Sequence, residues 1–221
     1  MTFTREVSAL IRKEMLVEWK QKYALNGLLL YALSMVFVIS LGLQRSLPPQ
    51  AWNVVFWIIL LFVSVNAVAK SFMGESSGQM LYLYNLAGPR AVIVAKLIYH
   101  VVLMWLIGLV TLLFYVWFSG PGAMGDPLQY ALSVIIGSSA FTANMTLVSA
   151  IAARAQNKST LLAVLSFPLV IPQMLVAISA SGKALLGMGW AAASGELIFS
   201  ACFVVIIGAV SVILFPYIWR E

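Results

Sequence analysis

Residues Leu161–Ala180 read LLAVLSFPLVIPQMLVAISA, a run with no charged side chain and only Ser166, Gln173 and Ser179 as polar ones. A helix of about 20 mostly apolar residues matches the hydrocarbon thickness of a bilayer. The stretch is therefore read as a membrane span, and that reading decides the fold class of the chain. Inside it, Pro168 and Pro172 interrupt the run one helical turn apart. Each lacks an N–H and crowds the carbonyl one turn earlier, so the carbonyls of Val164 and Pro168 lose their usual donors where no bulk water replaces them. Ser166 and Gln173 are the nearby polar groups able to compensate. A passive kink and a joint that bends at mid-membrane are both open readings. Pro168, Pro172 and Gln173 together form a candidate conformational element.

The rest of the chain repeats the pattern. Of 221 residues, 62% are hydrophobic and 9% charged, whereas soluble domains carry about 25% charged residues. The mean hydropathy is +1.00. So little polar surface cannot cover a water-soluble globule of this size. Apolar runs at 24–43, 51–69, 91–118, 128–153, 159–181 and 196–219 predict six transmembrane helices in an all-α, polytopic membrane protein, a single membrane domain over 1–221. The first 22 residues are charged and polar, unlike the apolar core of a removable signal peptide. Within 1–22, Phe3, Val7, Leu10 and Ile11 fall on one helical face. They predict an interfacial helix on the inner leaflet, joined to the first span by a bend near Asn26-Gly27; an ordinary solvated helix is the alternative.

A net charge of +6 could indicate nucleic acid, but the basic residues gather at the ends of the apolar runs, which is the pattern of membrane topology. With the N-terminus inside, Arg45 and Lys183 fall outside and the other eleven of the thirteen Lys and Arg residues fall inside. The expected orientation is N-in, C-in. Between spans two and three lies ESSGQMLYLYNLAGPR, Glu75–Arg90. Ser76 and Gln79 fit a capping box, and Gly88-Pro89 stops the helix. The 75–88 helix is too short to span yet mostly apolar, which suits a cytoplasmic coupling helix. Its candidate contacts to a partner are Glu75, Gly78, Met80, Leu81, Tyr84 and Arg90; an interfacial anchor is the plainer alternative. After span five, GKALLGMGWAAASGE (Gly182–Glu196) is read as a re-entrant turn or an ordinary loop.

The usual catalytic sets are missing. His100 is the single histidine and Cys202 the single cysteine, which excludes multi-histidine metal sites, an intrachain disulfide and Cys-x-x-Cys chemistry. There is no G-x-x-x-x-G-K-[ST] loop for ATP and no intramembrane carboxylate pair, so the chain is read as non-catalytic. His100 is a candidate axial ligand for haem iron, weighed against a histidine at the membrane boundary. Glu196 is expected to open span six at the boundary, with Lys183 as an alternative partner. The amides of Asn66, Asn144 and Gln173 should face other helices or a cavity. Gly137, Ser138, Ser139, Ala140, Ala143 and Thr146 in span four let helices approach closely or line a conduit.

SFPLVIPQMLVA resembles the Pro-Leu-x-Ile-Pro signature in the fifth span of the CcmB family, the membrane subunit of the ABC-type complex for cytochrome c maturation. Lys70, Phe72, Glu75 and Gly78 resemble that family's basic-Phe-acidic-Gly pattern after span two, and Ala95-Lys96 resembles its Ala-Lys step at the start of span three. The basic N-terminal helix IRKEMLVEWK agrees as well. The resemblance implies an ABC-2-like permease in the bacterial plasma (inner) membrane. It would pair with a second copy of itself and with a separate ABC ATPase subunit that holds the ATP. A haem-handling membrane protein and a small single-span subunit would complete the assembly, which would act on a haem-loaded periplasmic chaperone. Haem is the implied cargo, and no cofactor is assigned to this chain. An ABC-2-like exporter of a lipid, drug or polysaccharide, and a scaffold without energy coupling, are the competing readings.

Overall fold

The computed structural model describes residues 3–20, 23–42, 47–73, 87–120, 124–153, 155 and 157–220. The described helices are α1 (Phe3–Lys20), α2 (Tyr23–Gly42), α3 (Pro49–Met73), α4 (Pro89–Ser119), α5 (Pro127–Ala152), α6 (Lys158–Leu185) and α7 (Trp190–Arg220). Of these, α2 to α7 are long and apolar enough to cross a membrane. The helix starts follow local chemistry. Pro49, Pro89 and Pro127 open α3, α4 and α5, where the missing N–H is one the helix would not have used. Asp126 caps α5 by accepting from the Gln129 N–H at 3.0 Å, as an N-cap carboxylate does.

The polarity of the bundle runs from inside outward. α5 is the least apolar of the six long helices and the most buried, while α7 is the most apolar and among the most exposed. In water the order would be reversed; in lipid the apolar faces have nothing to hide from. α5 touches α3, α4, α6 and α7 and acts as the central post. Its hydroxyls are satisfied within the helix: Thr142 and Thr146 each donate to the carbonyl four residues back, at 2.7 Å. Gly137 is required by packing, because a Cβ there would run into the Trp57 indole of α3. The small residues of span four are thus buried contacts between helices.

Several boundaries depart from expectation. The Val7, Leu10 and Ile11 stripe of α1 packs on Ala91, Val94 and Ala95 of α4, while Phe3, Met15, Leu16 and Val17 are left exposed. Alanines one turn apart on α4 make a shallow seat for that stripe. Asn26 and Gly27 lie inside α2 and mark no bend. The stretch after span five is no re-entrant turn. α6 runs to Leu185 and α7 starts at Trp190, with Gly187 and Gly189 at φ of +64° and +82°, the left-handed geometry that glycine adopts without strain.

Candidate functional site

Three polar clusters lie along the bundle, one at the α1 end, one in the middle and one at the far end. At the α1 end, Lys96 of α4 is 2% exposed, and its Nζ lies 3.8 Å from Glu14 Oε1 of α1. A buried ammonium needs an opposite charge, so α1 is held by charge as well as by its apolar stripe. One turn on, His100 is 1% exposed between α4 and α5, and its Nδ1 lies 3.2 Å from Thr146 Oγ1. The Thr146 proton is committed to the Thr142 carbonyl, so Nδ1–H is the donor. The histidine is packed between helices, and a macrocycle reaching it would have to part the two. Arg90, in the first turn of α4, is exposed. Glu75, Gly78, Met80, Leu81 and Tyr84, the other candidate contacts of the 75–88 helix, lie outside the described residues.

In the middle, α6 runs through Pro168 and Pro172 as one helix. The expected local compensation does not occur. Ser166 Oγ donates to its own helix at Ala163 O, 3.0 Å, and Gln173 Nε2 donates across to Ser200 Oγ of α7, 3.0 Å. The central post reaches this segment as well, where Asn144 Nδ2 of α5 donates to Leu169 O at 3.3 Å, a carbonyl next to the one that Pro172 leaves without its donor. Asn66 differs from these two amides, since it donates back to Phe62 O on its own helix.

At the far end the connections are denser. Asn53 Nδ2 of α3 donates to Ile178 O of α6 at 2.8 Å. Its Oδ1 accepts from Tyr130 of α5 at 3.0 Å and lies 2.8 Å from Ser181 Oγ of α6, whose one proton is shared with Ala177 O at 2.7 Å. Trp57 donates to Ser181 Oγ at 2.7 Å. The loop before α5 joins the α6–α7 turn through backbone bonds, Gly125 N to Leu185 O and Asp126 N to Ala184 O. A Cβ on Gly125 would meet the Gly187 Cα at 2.6 Å. Lys183 pairs with Glu196 and also donates to Ala192 O, so Glu196 sits within α7 and braces the hairpin. On the C-terminal side of Pro172, then, α6 is fastened to α3, α5 and α7. On the N-terminal side of Pro168 its described contacts to other helices are apolar, with Leu162 and its neighbours packed on Val148 and Ala152.

The family model described as CcmB protein matches residues 5–218, nearly the whole chain. The chain belongs to the CcmB family. A search of the curated proteins gave no match. Membership implies a multi-pass membrane component of the cytochrome c maturation ABC transporter, associated with an ABC ATPase; permease subunits of this kind are generally non-catalytic. In this CcmB protein the Pro-Leu-x-Ile-Pro signature spans the change from the half of α6 held by apolar packing to the half held by hydrogen bonds, and the Ala-Lys step is where α4 receives α1. Sequence reasoning missed the Asn53 hub and the Glu14–Lys96 link. An asparagine near a helix start carries no signal of its own, and the partners of Lys96 and Asn53 come from helices distant in sequence.

Proposed function

We propose that this CcmB protein transmits the ATPase cycle of a separate subunit across the bacterial inner membrane, driving release of a haem-loaded periplasmic chaperone. Both termini face the cytoplasm, and the 75–88 helix, with Arg90 at its end, is the surface the ATPase presses. A second copy of the chain, a haem-handling membrane protein and a small single-span subunit complete the assembly. The observation that carries this reading is the family match over residues 5–218. The geometry supports it in one respect: α4, which follows segment 75–88 directly in the sequence, carries α1 on its first turns, so a push passed to α4 has a braced lever to act on. Interface helices shift by about 1–2 Å in such transitions.

Replacing Leu81 and Tyr84 with aspartate should abolish co-purification with the ATPase and stop holocytochrome c formation while the chain still inserts. Normal assembly and maturation in that variant would sink the coupling role. A deletion strain that loses all c-type cytochromes but keeps other haem proteins separates this function from export of another cargo.

A further inference from the structure

α1 sorts its charges by face. Glu14 and Glu18 continue the face of Val7, Leu10 and Ile11 at helical spacing. Glu14 Oε1 lies 3.8 Å from Lys96 Nζ of α4, and Glu18 lies beside Tyr99 of the same helix. The cations take the other side. Arg5, Arg12, Leu16 and Lys20 recur at helical spacing along the opposite face, with Lys13 beside them. All four cations are exposed. Lys13 also reaches Glu14 Oε1 at 3.3 Å, across the edge between the two faces, and Glu6, the remaining acid of α1, is half-buried. Met15, Leu16 and Val17 are exposed within the same turn, so large apolar side chains stand among the cations with no partner on the chain to cover them.

The stripe expected from the sequence to meet lipid is the one that α4 covers. The opposite, basic face is the one left open. α1 rests on the first turns of α4, and both α4 and α2, the next helix in the chain, are long and apolar enough to span. That places the open face at a membrane boundary, where phosphate and hydrocarbon lie in adjacent layers. We infer that this face is a binding surface for anionic phospholipid headgroups, held by Arg5, Arg12, Lys13 and Lys20, with Met15, Leu16 and Val17 entering the acyl boundary. Clusters of Lys and Arg beside a spanning helix attract anionic lipid, and an amphipathic helix adds the burial of its apolar side chains. An acidic protein would match the cations but leave no role for the three apolar side chains between them. α1 thus joins protein to lipid, its acids toward α4 and its bases toward the leaflet. The inference concerns whichever leaflet holds α1 and does not rest on the action of an ATPase.

The test uses the full chain in phosphatidylcholine nanodiscs, in a Cys202→Ser background with one bimane-labelled cysteine. Ala9→Cys places the label among the exposed cations, and Met188→Cys places it in the exposed α6–α7 turn at the far end. Each disc carries a minor share of either phosphatidylglycerol or phosphatidylcholine brominated on the acyl carbons nearest the headgroup. At Ala9→Cys the brominated phosphatidylglycerol should quench about threefold or more better than the brominated phosphatidylcholine. At Met188→Cys the two should quench alike. The preference should vanish when Arg5→Gln, Arg12→Gln, Lys13→Gln and Lys20→Gln are combined. It should also shrink when salt is raised about tenfold, which cuts the screening length to roughly a third. Equal quenching by both lipids at Ala9→Cys overturns the site without recourse to the quadruple variant, and leaves the basic face to an acidic protein. Quenching by neither lipid overturns it too, because the face is then in water. The same preference at Met188→Cys, or an undiminished one in the folded quadruple variant, overturns α1 as the seat of the lipid.

Discussion

The amide of Asn53 satisfies groups on three other side chains or carbonyls at once, and no single one of those bonds would hold the far end by itself. Its replacement by leucine keeps the volume but strands the Tyr130 hydroxyl in a fully buried position. An orphaned buried polar group costs about 1–3 kcal/mol. Asn53→Leu should therefore lower stability by about 2 kcal/mol, measured as the midpoint of denaturant unfolding in mixed micelles. An unchanged midpoint would mean that the hub is incidental. The glycines give a paired prediction. Gly137→Ala drives a methyl into Trp57 and should destabilise by about 1–3 kcal/mol. Gly208→Ala in α7 meets nothing within 4 Å and should stabilise by about 0.5–1 kcal/mol through backbone entropy alone. Equal effects at the two positions would contradict the close α3–α5 approach. The need of Asn144 and Gln173 for partners on other helices was legible in the sequence, because an intramembrane amide has few alternatives. That Asn66 would bond back to its own helix was not, since the same residue type in the same kind of run fits both outcomes.

Among the elements, α1 and α6 depart most from a passive role. The stripe of Val7, Leu10 and Ile11 was legible as a buried face, but an amphipathic pattern reads the same whether the apolar partner is lipid or another helix. What distinguishes them is Glu14, which continues the stripe with a charge and finds Lys96. A double-mutant cycle of Glu14→Gln and Lys96→Met should give a coupling of about 1 kcal/mol, within the usual range for residues in direct contact. Strict additivity would detach α1 from α4. In α6 the fastened half and the apolar-held half meet at the two prolines. Pro168→Ala with Pro172→Ala restores two N–H groups, and proline disfavours a helix interior by about 3 kcal/mol relative to alanine. The double variant should unfold at a higher temperature yet form less holocytochrome c at equal chain levels. A stiffer chain with full activity would reduce the signature to packing.

At the scale of the molecule, the six long helices were legible because a chain with 9% charged residues has one class of solvent open to it. The order of burial was not legible: hydropathy ranks α7 above α5, and nothing in a single run tells whether its neighbours will be lipid or protein. Orientation belongs to this scale as well, since it follows from the sum of charges at the two ends rather than from any one of them. If the six runs alternate in direction, eleven of the thirteen basic residues fall in the segments on one side, and the membrane-potential and translocation biases that produce the positive-inside rule act on such totals. The single native cysteine, Cys202, is exposed on α7 and has to be removed first. In a Cys202→Ser background, Met188→Cys places a thiol in the exposed α6–α7 turn, Ser8→Cys places one on exposed α1, and Ser77→Cys places one in segment 75–88. A membrane-impermeant maleimide should label the first in intact spheroplasts and the other two only after lysis. The opposite pattern would put segment 75–88 where no ATPase can reach it, and transmission from the cytoplasm would then be physically impossible.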